Sequence, residues 1–368
     1  MRRIAVDAMG GDHAPIPEIA GSLAAARHHG VAVTLVGDKE RLEAELARHD
    51  PRPPLLTVHH ASQVITMHDA PAAAVKSKKD ASMRVCFELV KRGEAAAVVS
   101  AGHSGAMLAC GLLVLRRIKG VDRPGIITLC PTRGGGQCVV LDVGANTEVR
   151  PMTLAQYGVM GAAYARTLLG VARPRVAILA NGEEESKGTA LTRDAYHLLS
   201  NETVPRDFEF IGYLEGRDLF TGLADVIVTD GFTGNVALKT TEGVTRFIVD
   251  LLRSEAARSP LVRMGALLMK PAFNRLKERL SEDEYGGAPL LGIDGVAIVC
   301  HGNSSARAIE NGIRTAARFV DARLAPAVGD AITRHRALWQ GDGGGTGDHN
   351  PEPDTERSAS GPATEMDG

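Results

Sequence analysis

Strand after strand in this chain ends in a short turn of glycine, hydroxyl and amide residues that leads into an apolar-periodic helix. The sharpest instance is Asp225-Val226-Ile227-Val228-Thr229-Asp230-Gly231-Phe232-Thr233-Gly234-Asn235. Its opening is rich in β-branched residues, which suit a buried, pleated strand. Asp230-Gly231 then stops the strand, and Val236 to Leu252 carries helical spacing. Such a junction leaves free backbone N–H groups at the positive end of a helix dipole, a site for an anion such as phosphate. The same residues also make ordinary turns, so recurrence carries more weight than any single example.

Recurrence is what the chain shows. Comparable turns are Gly10-Gly11-Asp12-His13, Ser100-Ala101-Gly102-His103-Ser104-Gly105, Asp142-Val143-Gly144-Ala145-Asn146, Asn181-Gly182-Glu183-Glu184-Glu185 and His301-Gly302-Asn303-Ser304. The strands expected before them are Arg3–Ala8, Ala96–Ser100, Gln137–Val143, Arg175–Ala180 and Gly295–Cys300. Helices are expected over Glu40–Arg48, Ala81–Arg92, Ser104–Arg116, Thr153–Leu169, Thr189–Leu199 and from Ser305 to about Ala337. The basic stretch Ala70–Lys79 reads as a loop. Alternation of strand and helix predicts an α/β fold: a doubly wound, mostly parallel sheet with helices on both faces. In such a sheet the carboxyl ends share one edge, so all these turns are expected to line one crevice.

Aromatic residues are 4% of the chain and hydrophobic residues 44%, so the core must be aliphatic. The formal net charge of -2 supplies no basic field for nucleic acid. Cys86, Cys110, Cys130, Cys138 and Cys300 form no CxxC pair and read as reduced core residues of a cytosolic protein. No signal peptide is expected. The uncharged run Ala95–Leu115 is long enough for a membrane span, but Ser100 to Gly105 breaks it. After Gln340 the composition turns to Gly, Asp, Glu, Pro and Ser. The expected organisation is therefore one α/β domain over residues 1–340 and a disordered acidic tail over 341–368.

No GxGxxG follows a strand, no Walker sequence occurs, and the histidines and carboxylates lack metal-ligand spacing, so neither nucleotide cofactor nor metal is expected. Lys187, after three glutamates and before Gly188, is a cation placed to neutralise a phosphate, or else part of a solvated charged loop. His13, His103 and His301 stand at turns where a histidine could donate to an oxyanion or simply hydrogen-bond the turn.

A second unusual stretch is Pro260–Leu280, set within residues 258–285. Leu261, Met264, Leu267, Leu268, Phe273, Leu276 and Leu280 give it an apolar face, and Arg258, Arg263, Lys270, Arg275, Lys277 and Arg279 a basic one, with Pro271 dividing it into two short helices. It fits an anionic membrane surface, an acidic partner protein, or packing at a subunit interface.

Taken together and in order, Val6-Asp7-Ala8-Met9-Gly10-Gly11-Asp12-His13-Ala14-Pro15, Ser100-Ala101-Gly102, Asp142 to Asn146, Gly182 to Gly188, Thr229 to Asn235 and Tyr285-Gly286-Gly287-Ala288-Pro289-Leu290-Leu291-Gly292 resemble the bacterial phosphate acyltransferases of phospholipid synthesis. The resemblance spans about Arg3 to Arg336. It departs at His103-Ser104, where the family carries Asn-Thr, and at Ala180-Asn181-Gly182, where it carries Asn-Ile-Gly. It implies a fold related to phosphotransacetylases and isocitrate-dehydrogenase-like enzymes, and a homodimer attached peripherally to the membrane. It also implies transfer of a fatty acyl group from acyl carrier protein to inorganic phosphate, the product passing to a membrane glycerol-3-phosphate acyltransferase.

On that reading Lys187 and the N–H groups of Gly231, Thr233, Gly234 and Asn235 bind phosphate. Asn235, with His103 or Ser104, polarises the thioester. Asp230 orients Lys187 or another donor, and His13 or His301 supplies a proton. Gly10, Gly11, Asp12, Gly102, Asn146 and Ser304 complete the expected substrate site. Leu261, Met264, Leu267, Leu268, Lys270 and Arg275 are expected to meet membrane or carrier protein.

Overall fold

The computed structural model describes residues 2–49, 51–259, 262, 264–265, 267–271 and 286–340. Much of the stretch 258–285, including Leu261, Phe273 and Arg275, and the whole expected tail 341–368 lie outside the described residues.

Among the described residues the strands form one 11-stranded sheet. In chain order they are β1 (Arg3–Asp7), β2 (Ala32–Gly37), β3 (Leu56–His60), β4 (Ala97–Ser100), β5 (Gly125–Pro131), β6 (Gln137–Leu141), β7 (Arg175–Leu179), β8 (Glu209–Leu214), β9 (Val226–Val228), β10 (Ala288–Leu291) and β11 (Ala297–Val299). Across the sheet the order is β3-β2-β1-β4-β11-β10-β5-β6-β9-β7-β8. The helices are α1 (Ile16–His29), α2 (Lys39–Leu46), α3 (Pro71–Ser77), α4 (Ser82–Lys91), α5 (Ser104–Cys110), α6 (Pro151–Tyr164), α7 (Ala190–Ser200), α8 (Gly231–Ala257), α9 (Ala306–Asp321) and α10 (Leu324–Arg334).

Strand residues alternate between two aliphatic cores, as a sheet covered on both faces requires. Ile4, Val6, Val99 and Ile298 point to one core with Ile19, Leu23, Ile309 and Ile313 of α1 and α9. Ala5, Val98 and Val299 point to the other, with Met83 and Phe87 of α4 and Met107 of α5. Each fully buried Phe or Ile contributes roughly 1.5–3 kcal/mol over an exposed one. The run Ala95–Leu115 divides into β4, α5 and a π-helical turn, and no helix of the described residues is long and apolar enough to cross a membrane.

Two expectations fail here. Ala70–Lys79 is not a loop: Pro71 opens α3, which packs on α5. Pro at the first helical position lacks an N–H that the helix would leave unpaired in any case. The second failure concerns the shared edge. β3, β2, β1, β4 and β11 are mutually parallel, and so are β6, β9, β7 and β8. Between the two groups, however, β11–β10, β10–β5 and β5–β6 are all antiparallel. The chain direction reverses three times, so the two parallel groups run oppositely and their carboxyl ends leave the sheet in opposite directions. The residues responsible are the short Ala288–Leu291 strand, broken in pattern by Pro289, and the Thr132–Gly136 hairpin that joins β5 to β6.

The expected terminal helix also divides. Arg323 adopts a left-handed backbone (φ 53) and separates α9 from α10.

Candidate active site

The six turns sort into two sets of three. β1, β4 and β11 are neighbours, so the turns after them adjoin. Asp12 N donates to Gly302 O at 2.7 Å, joining the first turn to the third. Asp7, the last residue of β1, is 0% exposed and gathers the rest. It accepts from Ser82 Oγ at 2.6 Å, from Ser100 Oγ at 2.7 Å and from Met9 N at 3.2 Å. Ser100 Oγ in turn accepts from Gly102 N at 3.0 Å. Burial pushes the Asp7 carboxyl upward, against those donors. Two buried acids stand behind the two glycines. A side chain on Gly10 would meet Asp7 Oδ2 at 2.5 Å, and one on Gly11 would collide with Glu18 Oε1.

His103 caps α5, its Nδ1 accepting from Gly105 N at 3.1 Å. Asp12, His13, Ser104 and His301 are exposed around these turns, while Ser304 is buried. This set therefore offers imidazole and hydroxyl groups, with the Gly102 and Gly105 N–H groups taken by Ser100 and His103.

β6, β9 and β7 are likewise neighbours, and their turns form the second set. Its hub is Asp142, also 0% exposed. Oδ1 accepts from the N–H groups of Ile126, Gly144 and Ala145 at 3.0, 3.0 and 2.9 Å. Oδ2 accepts from Asn146 N at 2.8 Å and Asn146 Nδ2 at 3.1 Å. Burial pushes this carboxyl up as well, opposed by its donors.

Asn146 Nδ2 also reaches Pro124 O at 2.6 Å and Tyr157 Oη at 2.9 Å, and Asn146 O accepts from Gly231 N at 2.8 Å. The amide expected to bind substrate is thus turned inward and holds the turn. Close contact continues along α8: a Cβ on Gly231 would lie 2.8 Å from Asp142 Oδ2, and one on Gly234 would collide with Asp142 O. Asn235 is exposed, with its amide over Gly144.

Asp230 was expected to orient Lys187 or another donor. It caps α8, accepting from Thr233 N at 2.8 Å and Thr233 Oγ1 at 2.7 Å, and no bond among the described residues joins it to Lys187. Lys187 is exposed and its stem lies across Gly182. Asn181 Oδ1 fixes this loop by accepting from Gly188 N at 2.8 Å. The N–H groups of Gly231, Thr233 and Gly234, expected to bind phosphate, are instead taken by Asn146 O, Asp230 Oδ1 and Asp230 O. The second set therefore presents the positive dipole end of α8, one exposed ammonium and one exposed amide.

The chain matches the family model "Fatty acid synthesis protein" over residues 2–326. A phosphate acyltransferase from Geobacter sulfurreducens is 51% identical over 318 residues, covering 86% of this chain and 90% of the relative. One from Geotalea uraniireducens is 48% identical over 337 residues, covering 92% and 96%. The chain belongs to the phosphate acyltransferase family. Among solved structures, a phosphotransacetylase from Streptococcus pyogenes matches with a TM-score of 0.57 at 16% identity, covering 88% of this chain and 94% of the other. The EutD phosphotransacetylase from Staphylococcus aureus gives 0.54 at 17% identity, with 87% and 94% covered. At such identity the likeness establishes a common fold.

Sequence reading named the exposed members of both sets but not what holds them. Asp7 and Asp142 carry no role that the sequence alone assigns, and neither does Glu18. The available signal was an acid embedded in apolar sequence, as in Ile4-Ala5-Val6-Asp7 and Val139-Val140-Leu141-Asp142. A charged residue is rarely buried without a partner network.

Proposed function

We propose that this phosphate acyltransferase takes a long-chain acyl group from acyl carrier protein and gives acyl-phosphate by direct attack of inorganic phosphate on the thioester. The observation that carries this reading is the second turn set, on the adjoining strands β6, β9 and β7: an exposed Lys187 ammonium, the positive dipole end of α8, and Asn235 over Gly144. Phosphate needs charge balance and positioning more than deprotonation, and this set supplies both. A phosphate oxygen bonds to the thioester carbon, an oxyanion forms and collapses, the C–S bond breaks, and the pantetheine thiolate takes a proton. His13 or His301 is the donor, and the turns at Gly10, Gly11, Gly102, His103 and Ser104 face the thioester. A cysteine acyl-enzyme does not fit: Cys86, Cys110, Cys130, Cys138 and Cys300 are all buried, and burial pushes the first four thiols up, to about 12 for Cys110 and Cys130.

Because the two sets leave one chain in opposite directions, the working site is proposed to form in a homodimer, with the second set of one copy facing the first set of the other. The exposed apolar side chains of α8 support this: Val236, Val244, Phe247, Ile248, Leu251 and Leu252 recur at helical spacing on one stripe. Met264, Leu267 and Leu268 are exposed as well, at 59%, 63% and 80%, and we assign them with Lys270 to an anionic membrane surface. On this reading a cytoplasmic enzyme works at the membrane, where a glycerol-3-phosphate acyltransferase can consume a labile product. Supplying long-chain acyl carrier protein and acyl-CoA in parallel tests the donor; turnover with acyl-CoA alone would replace this reading by a phosphotransacetylase-like one.

A further inference from the structure

Glu18 belongs to no part of the mechanism above, yet it stands directly behind one of its turns. It is the third residue of α1, is 2% exposed, and presses its Oε1 against Gly11. Its Oε2 is buried and has no hydrogen-bond partner among the described residues. Backbone N–H groups of Gly11 and of Glu18 itself bond the carboxyl, but they offset only part of the hydration that it has lost. The nearest acid, Asp7 of β1, is also buried and has the same sign. Other ionisable groups on the surrounding elements are Asp12 and His13 of the same turn, Arg41 of α2, whose guanidinium is bonded to Ala14 O, His301 after β11, and Arg307 and Glu310 of α9.

The consequence follows from charge alone. A negative Glu18 at the back of Gly11 opposes any negative oxygen held at the front of the turn. A protonated Glu18 does not. We propose that Glu18 is a positioning residue for acyl transfer: it must carry a proton for the Gly10–Gly11 turn to stabilise the oxyanion that forms on the thioester, and its ionisation turns the turn's support off. Burial raises its carboxyl to about 7, so the switch falls within the working range. The inference rests on the proposed thioester chemistry and deepens it.

The test is kcat against pH at saturating phosphate, for wild type and Glu18→Gln, an isostere that cannot ionise. Wild type is expected to lose rate on the alkaline side with a midpoint near neutrality, while the Gln variant keeps its low-pH rate throughout. Ionisation of phosphate itself is common to both proteins and cancels in the ratio. An alkaline limb unchanged by the substitution overturns the proposal and leaves Glu18 as packing. A second measurement needs neither the variant nor turnover: carboxyl 13C NMR of glutamate-labelled wild-type enzyme. A glutamate resonance titrating above pH 6 supports the switch; titration of every glutamate below pH 5 overturns it. Absence of acyl-phosphate formation by wild type would count against the proposed function, and the NMR result would still stand.

Discussion

Asp230 and Thr233 are joined twice, the carboxylate accepting from the Thr233 N–H at 2.8 Å and from its hydroxyl at 2.7 Å. That makes Asp230 the N-cap of α8 and, in the proposed phosphate site, leaves charge balance to Lys187 and the helix dipole. Serine caps helices about as well as aspartate. Asp230→Ser should therefore shift stability by less than ~1 kcal/mol and lower kcat/KM by only a few fold, read from melting and initial rates together. A loss as large as that of Lys187→Ala would return Asp230 to the chemistry.

Lys187→Ala is expected to keep the melting temperature, because the ammonium is exposed and without an ion pair among the described residues. Removing one electrostatic contact to the reacting centre commonly costs roughly 10²–10³ in rate. Activity at wild-type level in this variant would exclude the residue from the phosphate site.

Asp142→Asn tests the hub of the second set. An amide offers one acceptor oxygen where the carboxylate offers two, and its NH₂ would face backbone N–H groups. Leaving buried donors unpaired costs about 1–3 kcal/mol per group, so a loss of roughly that size or more is expected in denaturant unfolding, with activity falling alongside. An unchanged midpoint would mean that the turn does not depend on the carboxylate.

Stability against pH offers a check on Glu18 that needs no substrate. Its folded-state carboxyl lies at about 7 against a usual 4.5. The raised value means that its contribution is fully present below about pH 4.5 and is lost as pH rises through 7, a swing of up to ~3 kcal/mol. Glu18→Gln should remove that decline, so the variant gains on wild type between pH 5 and pH 8 in unfolding experiments. Parallel curves would show that Glu18 does not titrate there.

Much of the fold could be read from the chain because local pattern and tertiary structure agree: β-branched runs before glycine turns are strands, and Asp230 and Thr189 cap the helices that follow them. What was not legible is the direction of the strands relative to one another. That depends on β10, four residues with Pro289 inside, and on the antiparallel β5–β6 pair, whose Cys130 and Cys138 face each other. Neither carries a periodicity that distinguishes antiparallel from parallel. One shared crevice therefore became two turn sets. The exposed site residues could be named because small and amide residues in turns are conspicuous. Asn146 was misjudged for the same reason: its amide looks available in sequence and is consumed by Asp142, Pro124 and Tyr157 in space.

The α8 stripe yields a prediction about assembly. Phe247→Glu with Leu251→Glu places charge where 66% and 47% of those side chains are exposed, so the monomer fold should survive. Light scattering should report a monomer, and acyl transfer should fall with the dimer. A monomer of full activity would mean that each chain holds a complete site. Separately, Leu267→Glu with Leu268→Glu should release the protein from anionic liposomes without altering turnover on soluble carrier protein, whereas unchanged sedimentation with liposomes would assign that stretch to packing.

The most direct measurement is product formation from radiolabelled inorganic phosphate and long-chain acyl carrier protein with no coenzyme A present. The proposed function predicts label in an acyl-phosphate that hydroxylamine converts to hydroxamate, one per thiol released. Thiol release without labelled product, or labelled product only when acyl-CoA replaces the carrier, would contradict it.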